Sequence, residues 1–278
     1  NENRDWRIFA AFANTLIAEA KILCKNNLDV LPTIKGNIYA IDSSTVDLCL
    51  NVFWWAKFRK EKGAIKLHTQ FDVKANIPTF IDITEGLIHD VNFLDKIVYE
   101  AGAFYIVDKA YIDFNRLFII QQAEAFFVTR AKENMNYRRL YSAKVNKSKG
   151  IKCDQTIMLN NYYAAKDYPE KIRRIKYYDL ETDNEFDFIT NNFRLPALKI
   201  ALLYKHRWAV ELFFKWITGK PKEQHKILID HVSIITHRSI QQTDRLWAVL
   251  SNLAFVNING SYYKASECYD YANELFAF

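Results

Sequence analysis

A chain of 278 residues, half of them hydrophobic, can bury a sizeable core as one large domain or two small ones. Its apolar runs fall far short of the ~20 residues that cross a bilayer, and no charged-then-apolar leader precedes a cleavage site. Four scattered cysteines (Cys24, Cys49, Cys153, Cys268) offer neither a zinc spacing nor a dense disulfide framework, so a cytoplasmic protein with buried thiols is expected and no membrane partner.

The formal net charge is +6, and its distribution is informative. Residues 219–278 hold six basic and six acidic side chains, so the whole excess lies in residues 1–218. Arg130 to Lys152 carries eight basic residues against the single acid Glu133, with Tyr137 and Tyr141 among them. Smaller clusters are Lys57, Arg59, Lys60, Lys62 and Lys66, then Lys171, Arg173, Arg174 and Lys176. A charge run is most often a solvated face, but basic clusters interleaved with aromatics also suit a phosphate backbone, and a polyanion is the leading partner.

In chain order, Asp5 to Cys24 reads as an amphipathic helix that Leu31-Pro32 ends, and a start at Asn1 rather than Met reads as a fragment or processed product. Ile38 to Thr45 is a short apolar run closing on a carboxylate, a buried strand with Asp42 at its end. Ile65, Leu67, Thr69, Phe71 and Val73 alternate with polar partners, which predicts a strand with one wet face, and Pro78 to Thr84 gives a third strand of an antiparallel meander. Asp90 can cap a helix over Val91–Glu100 that Gly102 stops, and Ala103 to Asp108 is a second buried strand ending in Asp. Asp113 to Ala123 is a helix and Ala125 to Thr129 a strand. Residues 131–193 then read as an inserted β-rich module with strands at Gln155–Leu159, Arg174–Leu180 and Phe186–Thr190. Without it the order is β-β-β-α-β-α-β-α, a mixed α/β sheet flanked by helices.

After Leu195-Pro196, Tyr204, Arg207, Glu211 and Lys215 fall on one narrow stripe of a helix whose other faces carry Trp208, Val210, Leu212, Phe213, Phe214, Trp216 and Ile217. An Arg and a Glu on a buried helix are costly unless they pair or bind ions and phosphates. A plain Arg207–Glu211 pair four residues apart is one explanation. The other is a site. Asp42 and Asp108 end strands that the order makes neighbours, and with Glu211 they form a set of hard oxygen donors able to hold two divalent cations for in-line phosphoryl displacement. Mg²⁺ suits an all-carboxylate site of this kind, with Mn²⁺ as substitute.

Ile38–Thr45, Lys57–His68, His89-Asp90-Val91-Asn92, Asp108-Lys109-Ala110-Tyr111 and Tyr204-x2-Arg207-x3-Glu211 together resemble the DDE transposases of bacterial insertion sequences, the insertion-sequence-four type with a Y-R-E-K signature. The resemblance covers about residues 1–217. It implies an RNase H-like core interrupted by a β-strand insertion before the Glu helix, two catalytic metal ions, and movement of a DNA element by hydrolysis, hairpin formation and strand transfer. It also implies double-stranded DNA as partner, a homodimer in a synaptic complex and nucleoid association. By matching position, Asp42, Asp108 and Glu211 would form the metal-binding triad, and Tyr204 and Arg207 would contact DNA phosphates; Lys215 from the same stripe and Arg138 and Arg139 from the basic run are the further DNA contacts expected, without a matching position in the signature. The family's insertion stacks an aromatic on a flipped base, for which Tyr137, Tyr141, Tyr162 and Tyr163 are candidates.

The implied division is residues 1–35 as a helical remnant, 36–130 and 194–217 as the catalytic core, 131–193 as the insertion, and 218–278 as a divergent tail. Where the signature expects Lys, seven residues after Glu211, this chain has Thr218, followed by Gly219-Lys220-Pro221. The vanished resemblance and vanished basic excess there suggest an out-of-frame or replaced ending. Two other readings stay open: a catalytically dead relic that only binds DNA, and a general RNase H-like nuclease, which Tyr204 and Arg207 beside Glu211 argue against.

Overall fold

Ile38, Tyr39, Ala40 and Ile41 are buried on both faces, the mark of a central strand, and they open β1 (Ile38–Leu48). This computed structural model describes residues 34–48, 57–59, 62–180 and 182–218, with Thr15, residues 17–18 and two short strands further on. The chain divides into two units, Asp29–Leu212 and a second made of Asn1–Leu28 with Phe213–Phe278. In the second, Thr15, Ile17 and Ala18 are helical, and Phe255–Ile258 pairs antiparallel with Ser261–Lys264. The rest of the helix read over Asp5–Cys24, and the ending beyond Thr218 apart from those two strands, lie outside the described residues.

The first unit is built on one ten-stranded mixed sheet. β1 pairs antiparallel with β3 (Lys62–Asp72), which pairs with β4 (Ile77–Glu85) and with the short β2 (Lys57–Arg59), as the meander reading expects. On its other side β1 runs parallel to β5 (Phe104–Val107), and β5 parallel to β6 (Phe126–Arg130). The helix α1 (Phe114–Gln122) joins the last two, its first turn capped by Asp113, which accepts from Arg116 N at 3.0 Å. The module of residues 131–193 supplies β7 (Tyr137–Ser142), β8 (Ile151–Leu159), the short helix α2 (Tyr162–Asp167), β9 (Ile172–Asp179) and β10 (Asn184–Thr190). It does not stand apart, because β10 pairs antiparallel with β6 and carries the sheet onward through β9 and β8 to β7. The chain then returns through α3 (Ala197–Lys205) and α4 (Trp208–Thr218). No helix among the described residues is long and apolar enough to cross a membrane.

The core packs Tyr39, Ile41, Tyr105, Val107, Leu117, Ile120 and Phe127 together, each worth about 1.5–3 kcal/mol of burial for an aliphatic or Phe side chain. A close approach sets the register of the two strands that matter most. Gly36 has φ +90°, and a Cβ there would meet the Gly102 carbonyl oxygen at 2.5 Å, while Phe104 N donates to Asn37 O at 2.9 Å. The glycine lets the entries to β1 and β5 lie against one another.

Several local expectations are corrected. Val91–Glu100 is not an α-helix but a 3₁₀ stretch over Asp90–Lys96. Asp90 does not cap it, because its carboxylate accepts from Ser43 Oγ at 2.8 Å and pairs with Lys66 at 3.1 Å. The polar side of β3 is not wet: His68, Gln70 and Asp72 are buried, since β1 and β4 flank the strand and Phe93 stacks on His68. β1 runs past Asp42 to Leu48, because β3 continues its ladder to Leu48↔Gly63.

Two members of the third basic cluster, Arg173 and Arg174, are internal rather than solvated, while Lys171 is exposed and Lys176 lies at the surface. Arg174 is held by Asp187 and by Gln155 Oε1 at 3.0 Å, and Lys176 pairs with Glu185. Arg173 is buried, grips Asp154 with two nitrogens at 2.8 and 2.7 Å, and donates to the carbonyls of Asn192 (3.0 Å) and Leu195 (2.6 Å). It thus ties β9 to the segment leading into α3. Arg173→Ala, which strands the Asp154 carboxylate, is expected to cost about 3–5 kcal/mol of unfolding free energy in a urea titration. A loss below about 1 kcal/mol would show the network to be dispensable.

Candidate active site

The parallel pairing of β1 with β5 ends at Ile41↔Val107, and the next residue on each chain is an aspartate: Asp108 follows the end of β5, while Asp42 stays within β1 opposite Thr69 of β3. β6 ends beside them at Arg130. Asp108 also precedes a short 3₁₀ turn, Lys109–Tyr111, but makes no capping bond, so its carboxylate is available elsewhere. It accepts from Arg130 Nη2 at 2.8 Å and from the Tyr204 hydroxyl at 3.1 Å.

The third carboxylate arrives from α4 through a break that the stripe argument does not anticipate. Tyr204 lies on α3 and Glu211 on α4, and between them the backbone tightens. The amides of His206 and Arg207 bond back three residues, to Leu203 and Tyr204, and those of Ala209 and Val210 to His206 and Arg207, at 3.0–3.2 Å. The single continuous helix is therefore corrected to two helices joined by a 3₁₀-type turn with Arg207 in it. Nor is α4 buried all round, since Trp208 and Leu212 are 49% and 40% exposed.

From that turn the Arg207 guanidinium reaches two carboxylates at once: Nη1 donates to Asp42 Oδ2 at 2.7 Å and Nη2 to Glu211 Oε1 at 2.5 Å. The intrahelical Arg207–Glu211 pair is real, and so is a link to a residue 165 positions away. Two cations lie against the Tyr204 ring, with Arg130 and Arg207 centred 5.9 and 5.8 Å from it and Phe188 at 4.9 Å. Three carboxylates thus face two guanidinium groups, leaving one negative charge in surplus.

Protonation follows this layout. Burial pushes the Asp42 carboxyl up, against the pull of the Ser43 amide and Arg207. Burial also raises Asp108, but the hydrogen bond and charge of Arg130 outweigh it and hold that carboxyl below its ordinary value. Burial pushes the Tyr204 hydroxyl up to about 12, so it stays a donor to Asp108 at neutral pH. The carboxylates offer only hard oxygen ligands, the set Mg²⁺ or Mn²⁺ takes, and a cation already stands among them as Arg207. Among the described residues no three acidic, His or Cys side chains close round one ion position as they stand.

The other candidates fall elsewhere. Arg138 and Arg139 are exposed on β7, and Lys215 is exposed on α4 within the second unit. Tyr162 and Tyr163 are each 75% exposed and Tyr141 65%, whereas Tyr137 is half-buried beneath the Arg174 guanidinium at 5.2 Å. Arg130 is the participant that sequence reasoning missed. It was hidden among eight basic residues, and its position at the end of the strand next to Asp108 was the available signal. A cavity of about 710 Å³ at the opposite edge of the sheet, by Gly102, Glu124 and Arg194, touches none of these groups.

A mixed sheet with antiparallel β4-β3-β1 continued by parallel β5 and β6, presenting acidic residues at one edge, is an RNase H-like α/β core. The family described as the transposase DDE domain matches residues 34–242, and the chain belongs to that family. The match runs past Ile217, where the resemblance read from motifs stops. A Sinorhizobium fredii protein named as a transposase is 33% identical over 181 residues, 64% of this chain and 50% of that protein. A Geobacillus stearothermophilus protein named as a transposase for insertion sequence element IS5377 is 27% identical over 179 residues, 64% of this chain and 46% of that protein. The chain spans about half the length of the curated relatives it matches.

Proposed function

We propose that this chain carries the catalytic centre of a DNA transposase, which hydrolyses and transfers phosphodiester bonds at the ends of an insertion sequence. The supporting observation is that one guanidinium, Arg207, binds carboxylates from β1 and α4, while Asp108, just past the end of β5, stands under Arg130 and Tyr204. In this reading Asp42, Asp108 and Glu211 are the ligands of two Mg²⁺ ions, for which Mn²⁺ substitutes. Bound there, the ions would activate the attacking water or 3′-hydroxyl and stabilise the leaving oxygen. The chain's own groups do the rest: Tyr204 and Arg130 orient Asp108, and Arg207 offers its donors to a DNA phosphate. Residues 36–130 and 194–217 form the catalytic core and 131–193 the DNA-contacting insertion, with 1–35 and 218–278 outside both. Two copies would act together on two element ends.

The test uses the inverted repeats flanking the coding DNA, placed on a supercoiled plasmid. Nicking at the repeat termini that requires Mg²⁺ or Mn²⁺ supports the reading, and binding without cutting in either metal leaves only a DNA-binding relic. The exposed pair Arg138 and Arg139 gives a separate prediction. Replacing both with Ala should weaken duplex binding alike for all sequences and lower the slope of log affinity against log salt by about 2, one counterion for each lost cation. An unchanged slope would remove β7 from the DNA surface.

A further inference from the structure

We propose that Arg207 is a built-in stand-in for a divalent cation: in the DNA-free chain its guanidinium fills the space between Asp42 and Glu211, and metal ions load fully only when a phosphate group draws it away. This rests on the reading of Asp42, Asp108 and Glu211 as metal ligands.

Four observations carry it. The guanidinium places one nitrogen on each carboxylate, so the two oxygens are spaced by an arginine rather than by a shared ion. Consistent with that spacing, no three such ligands close round one ion position among the described residues. The Arg207 side chain is only 14% exposed, and a buried cation that leaves two carboxylates must find another anion. Its Nε is buried without a hydrogen-bond partner, a donor left over that a phosphate oxygen can take and the carboxylates do not use. Finally, Arg207 sits in the 3₁₀-type turn between α3 and α4, where a small change in backbone angles re-aims the side chain while Tyr204 and Glu211 stay on their helices. Arg130 is a weaker parallel: it neutralises Asp108 and its Nε is likewise unpartnered, but it holds one carboxylate only.

Such a site loads its metals when substrate is present and resists them when it is absent, because a guanidinium and a divalent ion cannot both lie between the same two oxygens. The phosphate supplies the differential interaction that shifts the balance.

The experiment is Mn²⁺ binding to the whole 278-residue chain, read from the loss of the free-ion electron paramagnetic resonance signal, without DNA. Arg207→Gln is expected to tighten Mn²⁺ binding by on the order of tenfold, because the competing cation is gone and two carboxylates remain. Sulfate, a phosphate mimic, should tighten Mn²⁺ binding to the wild-type chain at constant ionic strength and leave Arg207→Gln unchanged. Equal or weaker Mn²⁺ binding by Arg207→Gln means that Arg207 merely scaffolds the carboxylates, and overturns the proposal, as does indifference of the wild type to sulfate. Where thermal melting shows Arg207→Gln unfolded, Arg207→Met decides, since an unbranched apolar side chain fills much of the same space without a competing charge. It should tighten Mn²⁺ binding, and failure to do so is equally fatal. Asp42→Asn separates the two levels: if it leaves Mn²⁺ binding unaltered, the ligand reading itself falls, whereas weakened binding there beside an unresponsive Arg207→Gln removes only the stand-in.

Discussion

Asp42→Asn and Asp108→Asn should each leave a chain that binds duplex DNA as before but cuts it at least about a thousandfold more slowly, about 4 kcal/mol of barrier. The amide keeps the shape and one acceptor oxygen, so the side chain at position 42 can still receive Arg207 Nη1, and the sheet edge need not move. What is lost is the negative charge on which the proposed cation binding would depend, and phosphoryl transfer leaves a protein little else to supply. In the proposed reading binding draws instead on the exposed basic residues of the insertion, which neither substitution touches. Plasmid nicking beside a gel-shift at matched salt measures both. A variant that cuts within about tenfold of wild type would remove that carboxylate from the chemistry.

The second large effect belongs to Arg130, a positioning residue. Arg130→Ala removes the hydrogen bond and the charge that hold Asp108 below its ordinary carboxyl range, and it removes one of the two cations against the Tyr204 ring. Loss of a group that orients a ligand usually costs about 10–100-fold in activity, and that range is expected in the nicking assay. A pH series gives a readout that a merely structural role would not. A carboxyl whose folded value lies below its unfolded one adds stability above the unfolded value, and that contribution disappears as pH falls through the folded value. The gap in unfolding midpoint between wild type and Arg130→Ala should therefore be widest near neutral pH and shrink as acid protonates Asp108. Both side chains are partly exposed, 35% for Arg130 and 24% for Asp108, so solvent screening keeps the gap small. A gap that is flat or grows in acid contradicts the assignment.

Legibility in the sequence followed the range of the forces involved. The central strands could be read because burial on two faces demands apolar runs, as in Ile38–Ile41 and Phe104–Val107, and α1 because Asp113 caps it locally. Asp42 and Asp108 could be placed side by side because parallel neighbours bring the residues after Ile41 and Val107 to the same level, although β1 itself runs on past Asp42. The misread pieces are those in which a side chain leaves its own neighbourhood. Asp90 looked like a cap because Ser43 and Lys66, its partners, are distant in sequence. Arg173 and Arg174 looked free to meet solvent or a polyanion because Asp154 and Asp187, their partners, sit across strand ladders. The stripe put Tyr204, Arg207 and Glu211 on one continuous helix, whereas a turn at 206–207 divides it and changes the angular step between them.

The sequence by itself determined which side chains could serve: three carboxylates at spaced strand and helix positions, an aromatic and an arginine beside the last, and a basic run before it. Composition and periodicity are local, and they decide elements and chemical types. Only the tertiary structure decided the pairing of charges. It put Arg130 on Asp108 and stretched Arg207 from Glu211 across to Asp42, because a buried charge takes whichever opposite charge the fold brings within reach, whatever the distance along the chain.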